Sequence, residues 1–400
     1  MTRIGIKHEH TASGIDYTMC LNEKAIGTAR VIFHNEHEYE LSEVEIKPKH
    51  RNKGLGKKLV QFVAYHVPHH QLFLASVIPD FYEKLGWQRL SSHPSFVDHT
   101  HKDCQLCDPE QCISMVFKKP PFLISLNGPQ SHDFFDYLQK QNPMICEFSH
   151  VNLRMWKEVE NNFMIEIEGY WFMISFSLRG MAASIPPQPK IPEPVFSTFL
   201  ARCRELGVES IKFLSWHAAQ QLEDFEYFPE PSEFDYLYKS RDFADYAGGR
   251  FRKKRNRIAK FLRHFPEHRV IEYRNEHKND IINFVKSVIH KKAFCCDTET
   301  VLESGLNQNL LTGFFVTVND DIAGALFYSQ LNARTIDVHF EFSAPHVDGL
   351  SPFMNNHLGK HVVDRYPFIN REQDWGLPGL RKSKYSYRPI GQIRKYAVKL

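Results

Sequence analysis

Residues 46–63 read IKPKHRNKGLGKKLVQFV and decide the architecture of the first part of the chain. Just before them, residues 41–47 alternate, with Val44 and Ile46 on one face and Glu43, Glu45 and Lys47 on the other, which predicts a half-buried strand ended by Pro48. After Gly54, the apolar residues Leu55, Leu59, Phe62 and Val63 recur at helical spacing, so a helix starts at the loop. A strand that runs through a glycine loop into a helix aims several backbone N–H groups and the positive end of the helix dipole at any anion that enters. Gly54 and Gly56 permit close backbone approach, while Arg51, Lys53, Lys57 and Lys58 bring positive charge. A pyrophosphate suits such a loop. The lysine and serine or threonine of a nucleotide-hydrolase loop are absent, and the bland alternative is a glycine turn with solvated lysines.

Downstream, residues 72–77 form a short apolar run, and residues 79–85 predict a helix stopping at Gly86. The R-N-K-G-L-G loop followed by IPDFYEKLGW, residues 78–87, resembles the GNAT N-acetyltransferase superfamily over about the first 120 residues. That resemblance implies acetyl-CoA, or another acyl-CoA, as co-substrate, with Ile46, Arg51, Asn52, Lys53, Gly54, Leu55, Gly56 and Lys57 as the binding segment. It implies Tyr82 as the proton donor to the departing thiolate and Glu43 as acceptor of a proton from the incoming amine, directly or through water. The chemistry is coherent, because an amine must lose a proton to attack a thioester and a thiolate leaves more easily when protonated. The alternatives are an exposed strand glutamate and a half-buried helix aromatic.

Between Trp87 and Ile113 the expected hairpin connection is replaced by SSHPSFVDHTHKDCQLCDPEQC. Its C-x-x-C and neighbouring histidines offer Cys104, Cys107 and Cys112, with His99 or His101, as a tetrahedral set for a structural zinc that would pin a loop poor in apolar residues. A solvent-exposed cysteine loop or a redox pair are the alternatives, since the second C-x-x-C of a zinc ribbon is missing.

The run K-K-P-P at 118–121 marks the first domain boundary. Beyond it the sequence predicts a strand at 122–126, a helix at 131–141, a hairpin over 163–176 turning at Gly169, a proline-rich stretch at 186–194 leading into a helix, and a strand at 210–216. A strongly basic helix then spans 249–265. The last third predicts a helix at 279–290 and strands at 314–318, 322–330 and 335–342, with Asn319-Asp320-Asp321 as a turn.

The segment FDYLYKSRDFADYAGGRFRKKRNRIAKF from Phe234, together with NREQDWGLPGLRKSKYSYRP from Asn370, resembles the soluble catalytic region of the phosphatidylglycerol lysyltransferases. This resemblance covers residues 122–400 and implies two GNAT-like halves that move an aminoacyl group from charged tRNA to a lipid hydroxyl. It makes Arg255, Glu372, Asp374, Arg381, Lys382 and Lys384 second-module candidates: the cations to hold phosphate, the carboxylates to hold an amino group or take a proton. Internal salt bridges among these charges are the alternative. The multi-span membrane region that precedes the lipid-modifying members is replaced here by the acetyltransferase-like head, so a soluble amine, a peptide or a peripheral lipid are all open as acceptors.

With 50 basic and 47 acidic residues nearly cancelling, any basic patch must be local, and the helix at 250–263 is the candidate surface for tRNA or for peripheral membrane contact. No apolar run reaches the ~20 residues a membrane span needs, which reads as a soluble, cytoplasmic chain. The expected class is α+β (mixed α/β) with three GNAT-like units: residues 1–120 with the Cys/His-rich insertion, residues 121–265, and residues 266–400. The expected function is a two-module acyltransferase. The alternatives are catalysis by the C-terminal body alone and a zinc- and RNA-binding protein without enzymatic activity.

Overall fold

The computed structural model describes residues 4–22, 24–97, 111–126, 128–222, 224–289 and 297–400. They form three seven-stranded sheets. The first takes strands Ile4–Thr11, Gly14–Leu21, Lys24–Phe33, Tyr39–Ile46, Gln71–Ser76, Ile113–Lys118 and Gln88–Arg89 in that spatial order. Each sheet is antiparallel except for one parallel pair. These pairs are Tyr39–Ile46 with Gln71–Ser76, Gly180–Ser184 with Ser210–Leu214, and Thr335–Ser343 with Phe368–Asn370. A parallel pair requires a crossover, and here it is a helix each time: Leu55–His66, Glu193–Leu206 and Leu350–Val362. The same β-α-β device therefore occurs three times, as three GNAT-like units require.

Local chemistry accounts for the elements. Gly54, at φ +72°, caps the first crossover helix, whose buried face carries Leu55, Leu59, Phe62 and Val63 as their spacing predicts. Asn319 and Asp320 both take positive φ between strands Thr312–Val318 and Asp321–Asn332, the backbone a tight hairpin turn needs. Ser149 caps helix His150–Glu160 by accepting the Asn152 N–H at 2.9 Å.

The head is fused to the body through helix Leu55–His66. One face packs on its own sheet, and the other meets the second sheet, where Tyr65 stacks on Phe176 with centroids 3.5 Å apart. Asn161 donates to the Phe62 carbonyl at 3.0 Å, and Lys58 donates to the Leu178 carbonyl at 3.2 Å. Head and first-half side chains form one continuous apolar cluster.

The expected division at residue 265 does not follow the sheets. Strand Tyr227–Pro229 belongs to the second sheet and Asp235–Lys239 to the third, so the change of sheet falls about thirty residues earlier. The basic helix Arg252–His264 packs against helix Leu350–Val362 and contributes Phe261 to the core of the third sheet. The last strand, Tyr396–Lys399, returns to the second sheet between Tyr227–Pro229 and Ser210–Leu214, tying both halves together.

Candidate functional site

The glycine loop stands at the exposed N-terminal end of helix Leu55–His66, where the first backbone N–H groups have no partner within the helix. Arg51 is fixed by its own chain, its Nε donating to the Ile46 carbonyl at 2.7 Å, and Lys53 donates to the Lys49 carbonyl at 3.2 Å. Asn52 takes φ +58° in the turn, and Lys57 is exposed. A Cβ on Gly56 would lie 3.8 Å from the Phe81 ring and 3.9 Å from Ile46, so the segment carrying Tyr82 stands against the loop. The parallel strands beside it pair at Glu40 opposite Phe73, and the described residues record no further pairing between them. Val77 and Ile78, where the second of these strands ends, are 46% and 57% exposed.

Tyr82 lies in the short helix Pro79–Glu83, buried edge-on against Trp87 and Phe81. Burial pushes its phenol above the ordinary value, which keeps the proton available. Glu43 sits at φ +50° where the register with Lys24–Phe33 shifts, and it accepts from Arg30 at 3.2 Å. Of the expected zinc ligands, His99, His101, Cys104 and Cys107 lie outside the described residues, while Cys112 is described and half-buried.

The other two crossovers are built differently at the matching place. In the second sheet, Pro186, Pro187, Pro189 and Pro192 precede the helix, and proline has no N–H to offer an anion. In the third, Gly349 caps the helix at φ +87° much as Gly54 does, but a Cβ there would meet the Arg257 carbonyl oxygen at 2.2 Å. The basic helix already covers that position.

A cleft of about 350 Å³ opens in the body, bordered by helix His150–Glu160 and the signature segment. Among the described residues its wall carries Glu147, Glu160, Glu233 and Glu372 against one cation, Arg179, which is itself held by Glu160 at 3.3 Å and Asp297 at 2.9 Å. An acidic, partly apolar cleft with Trp156 and Trp375 suits a small cationic group. Glu372 takes φ +51° and accepts from Asn152 at 3.3 Å, with His339 Nδ1 at 2.9 Å; His339 Nε2 lies 2.8 Å from the Ser329 hydroxyl. Asp337 is completely buried near them, and neither carboxylate oxygen has a hydrogen-bond partner. Burial, with Glu372 close by, pushes its pKa well above the usual carboxylate range, which favours the neutral form.

Beneath the cleft lies a charged knot with no signal in the sequence. Lys395, wholly buried, donates to Glu147 at 2.7 Å and to Asp235 at 2.6 Å, and the Cys146 thiol lies 3.3 Å from Asp235. Burial pushes Glu147 up to about 7 and lifts the Cys146 thiol well above its ordinary value.

The structure separates the second-module candidates. Glu372 lines the cleft. Asp374 does not: it is buried and saturated by Arg381 at 2.7 and 3.0 Å, by the Tyr236 hydroxyl at 2.6 Å and by the Gly376 N–H at 2.8 Å. Burial alone would raise its pKa, yet these donors hold it below the usual range. Lys384, expected to hold phosphate, is buried and donates to the backbone carbonyls of Arg371 and Glu372. Arg255 caps the carbonyls of Tyr246 and Gly248. Lys382 is exposed. The expected phosphate-holding role therefore does not describe Lys384, and Asp374 and Arg381 shape the loop by binding each other. Asn152, Glu147, His339 and Lys395 escaped the sequence reading; the serine cap and the spacing of Asn152, Met155, Trp156 and Val159 were the available signal for the first.

Compared with known families, residues 141–399 match the model of the phosphatidylglycerol lysyltransferase C-terminal region, and residues 15–89 match that of the acetyltransferase (GNAT) domain. Both are acyltransferase-type domains. No curated protein matches the chain. Among solved structures, a conserved protein of unknown function from Bacteroides thetaiotaomicron is similar at 21% identity and TM-score 0.65, covering 70% of this chain and 99% of that one. The L-PGS of Bacillus licheniformis is similar at 12% identity and TM-score 0.51, covering 69% and 92%. At these identities the likeness is one of fold. Among the described residues, no helix is long and apolar enough to cross a membrane.

Proposed function

The chain belongs to the family of the phosphatidylglycerol lysyltransferase C-terminal region, with an acetyltransferase (GNAT) domain in front, and from that premise we propose a two-module acyltransferase. The head transfers an acyl group from a CoA thioester to an amine. The body transfers an aminoacyl group from charged tRNA to an acceptor. The observation that carries the first assignment is the contrast among the three crossovers: the head's helix N-terminus is glycine-capped and open, the second is preceded by prolines, and the third is covered by Arg257. CoA accordingly belongs to the head. The pyrophosphate sits on the amides following Gly54, with Arg51, Lys53 and Lys57 as counter-charge, and the unpaired edges between the diverging parallel strands satisfy the amides of the pantetheine arm. Glu43 accepts the amine proton as nitrogen attacks the thioester carbonyl, and Tyr82 protonates the sulfur as the carbon–sulfur bond breaks. Residues 1–120 are the domain limits that go with this reading.

In the body, the acidic cleft supports an aminoacyl group carrying an ammonium, as the lysyl group in the family's name does. Glu372 either pairs with that ammonium or takes the proton of the attacking hydroxyl or amine, while the ribose oxygen of the tRNA leaves with a proton. The exposed cations Arg252, Lys253, Arg263 and Lys382 are among those available for tRNA phosphates.

Gly56→Asp tests the head. A Cβ at this position makes only ordinary van der Waals contacts, and the carboxylate it carries is set against the pyrophosphate; a circular dichroism spectrum like that of the native chain is the control for folding. Loss of CoA binding by calorimetry is expected, and undiminished binding would remove the assigned site. Ribonuclease sensitivity of labelled amino acid transfer tests the body, and transfer that survives ribonuclease would count against tRNA as donor.

A further inference from the structure

A second group of metal-preferring side chains lies where the head meets the body, and none of its members lines the acidic cleft. His8 comes from strand Ile4–Thr11, His66 ends helix Leu55–His66, and Glu158 belongs to helix His150–Glu160. Nε2 of His66 lies 3.0 Å from Oε2 of Glu158, and Nε2 of His8 lies 3.4 Å from the same oxygen. The two rings are tilted at 57° with centroids 4.6 Å apart. The histidine side chains are 10% and 7% exposed and that of Glu158 28%, so the group is closed on the histidine side and reachable from solvent on the carboxylate side.

Four bonds of about 2.0–2.1 Å to a tetrahedral ion space its ligand atoms roughly 3.3 Å apart, and the two distances above bracket that edge. A neutral imidazole offers one nitrogen to a metal while the other is held by a neighbour, and the Tyr17 hydroxyl does this for His66, at 2.9 Å from Nδ1. The second nitrogen of His8 is buried without a hydrogen-bond partner. Lys157 meets the far carboxylate oxygen, Oε1, at 3.3 Å and leaves Oε2 to the histidines. Two imidazoles with one carboxylate favour a zinc-like ion over magnesium or calcium, which prefer all-oxygen sets.

We propose that His8, His66 and Glu158 bind a divalent transition metal of the zinc class, with solvent as fourth ligand, and that this ion pins the head to the body. The histidines and Tyr17 belong to the head and Glu158 to the body, so the ion joins the two units through residues at least 92 positions apart in sequence. This role is structural and independent of acyl transfer.

The full-length protein, stripped with chelator, is titrated with Zn²⁺ by calorimetry and with Co²⁺ by optical spectroscopy. Cys104→Ser, Cys107→Ser and Cys112→Ser together silence the cysteine loop. One equivalent of zinc is expected to remain in that parent, and Co²⁺ there should give d–d bands without thiolate charge transfer. Adding His8→Gln or Glu158→Gln should abolish that equivalent and the rise in melting temperature that zinc gives the parent. No zinc bound in the parent lacking the loop cysteines, or undiminished binding in His8→Gln and Glu158→Gln, would overturn the site and leave the three side chains as a hydrogen-bonded contact.

Discussion

The carbonyl oxygen of Arg257 lies 2.2 Å from the point where a Cβ on Gly349 would sit, so the basic helix rests directly on the N-terminus of the third crossover helix. In the head the corresponding glycine, Gly54, has nothing within 4 Å of that point. One device thus serves two ends: open, it leaves the helix N-terminus free for the anion proposed for the head, and covered, it is a packing joint that seats the basic helix on the third sheet.

Gly349→Ala should therefore be costly. The methyl group meets backbone, which cannot swing aside, and the φ of +87° disfavours any side chain. Overpacking and left-handed strain together put the loss at about 2–4 kcal/mol. Gly56→Ala, with only ordinary contacts, should stay within about 0.5 kcal/mol. Urea midpoints of the two variants, measured side by side, check the contrast.

Lys395 should be the least replaceable charge in the body. Lys395→Met leaves Glu147 and Asp235 facing each other in the interior without their shared cation. Removing one partner of a buried pair costs about 3–5 kcal/mol. Lys395→Met with Asp235→Asn removes a charge of each sign and should recover part of that loss. A double variant as unstable as the single one would show that Lys395 does not act through Asp235.

Much of this was legible in advance where the signal is local. The glycine loop, the helix that follows it and the hairpin at Gly169 are written in a few adjacent residues, and the three-unit class followed from them and from the signature at 370–389. What escaped depends on contacts across the chain. Lys395 meets Asp235 across 160 positions and Glu147 across 248, and no periodicity announces such a pair. The signature does not say which of its side chains face inward: Asp374 and Lys384 stabilise the loop's own backbone, while their neighbour Glu372 reaches the cleft. The basic helix was legible as a helix, but not which sheet its apolar stripe joins: Phe261 packs into the core of the third sheet.

Lys254 gives stability a pH dependence of known sign. It donates to Ser386 at 2.7 Å and lies over the Tyr387 ring; burial, with Arg371 adding to it, lowers its pKa to about 7. Between that value and the ordinary lysine value the folded chain binds fewer protons here than the unfolded one, so this group's contribution to stability rises with pH from about 7 upward. Lys254→Met should flatten the rise, with its largest stabilisation relative to the native chain near pH 6 and its smallest near pH 10. Urea unfolding across that range decides it, and a constant difference between the two proteins would refute the assignment.

Glu372 offers the sharpest test of the body's chemistry. In Glu372→Gln the amide oxygen can still accept from Asn152 at the position of Oε1, so the strained turn and the fold should survive. What is lost is the negative charge in the cleft and the capacity to take a proton. If the carboxylate acts as a base, kcat for aminoacyl transfer should fall by about 10²–10⁴-fold with KM little changed. If it pairs with the substrate ammonium in ground state and transition state alike, KM should rise while kcat holds. A variant that keeps both values would place the reaction elsewhere. A neutral aminoacyl donor separates the two roles further, since only a base should remain indispensable when there is no ammonium to bind.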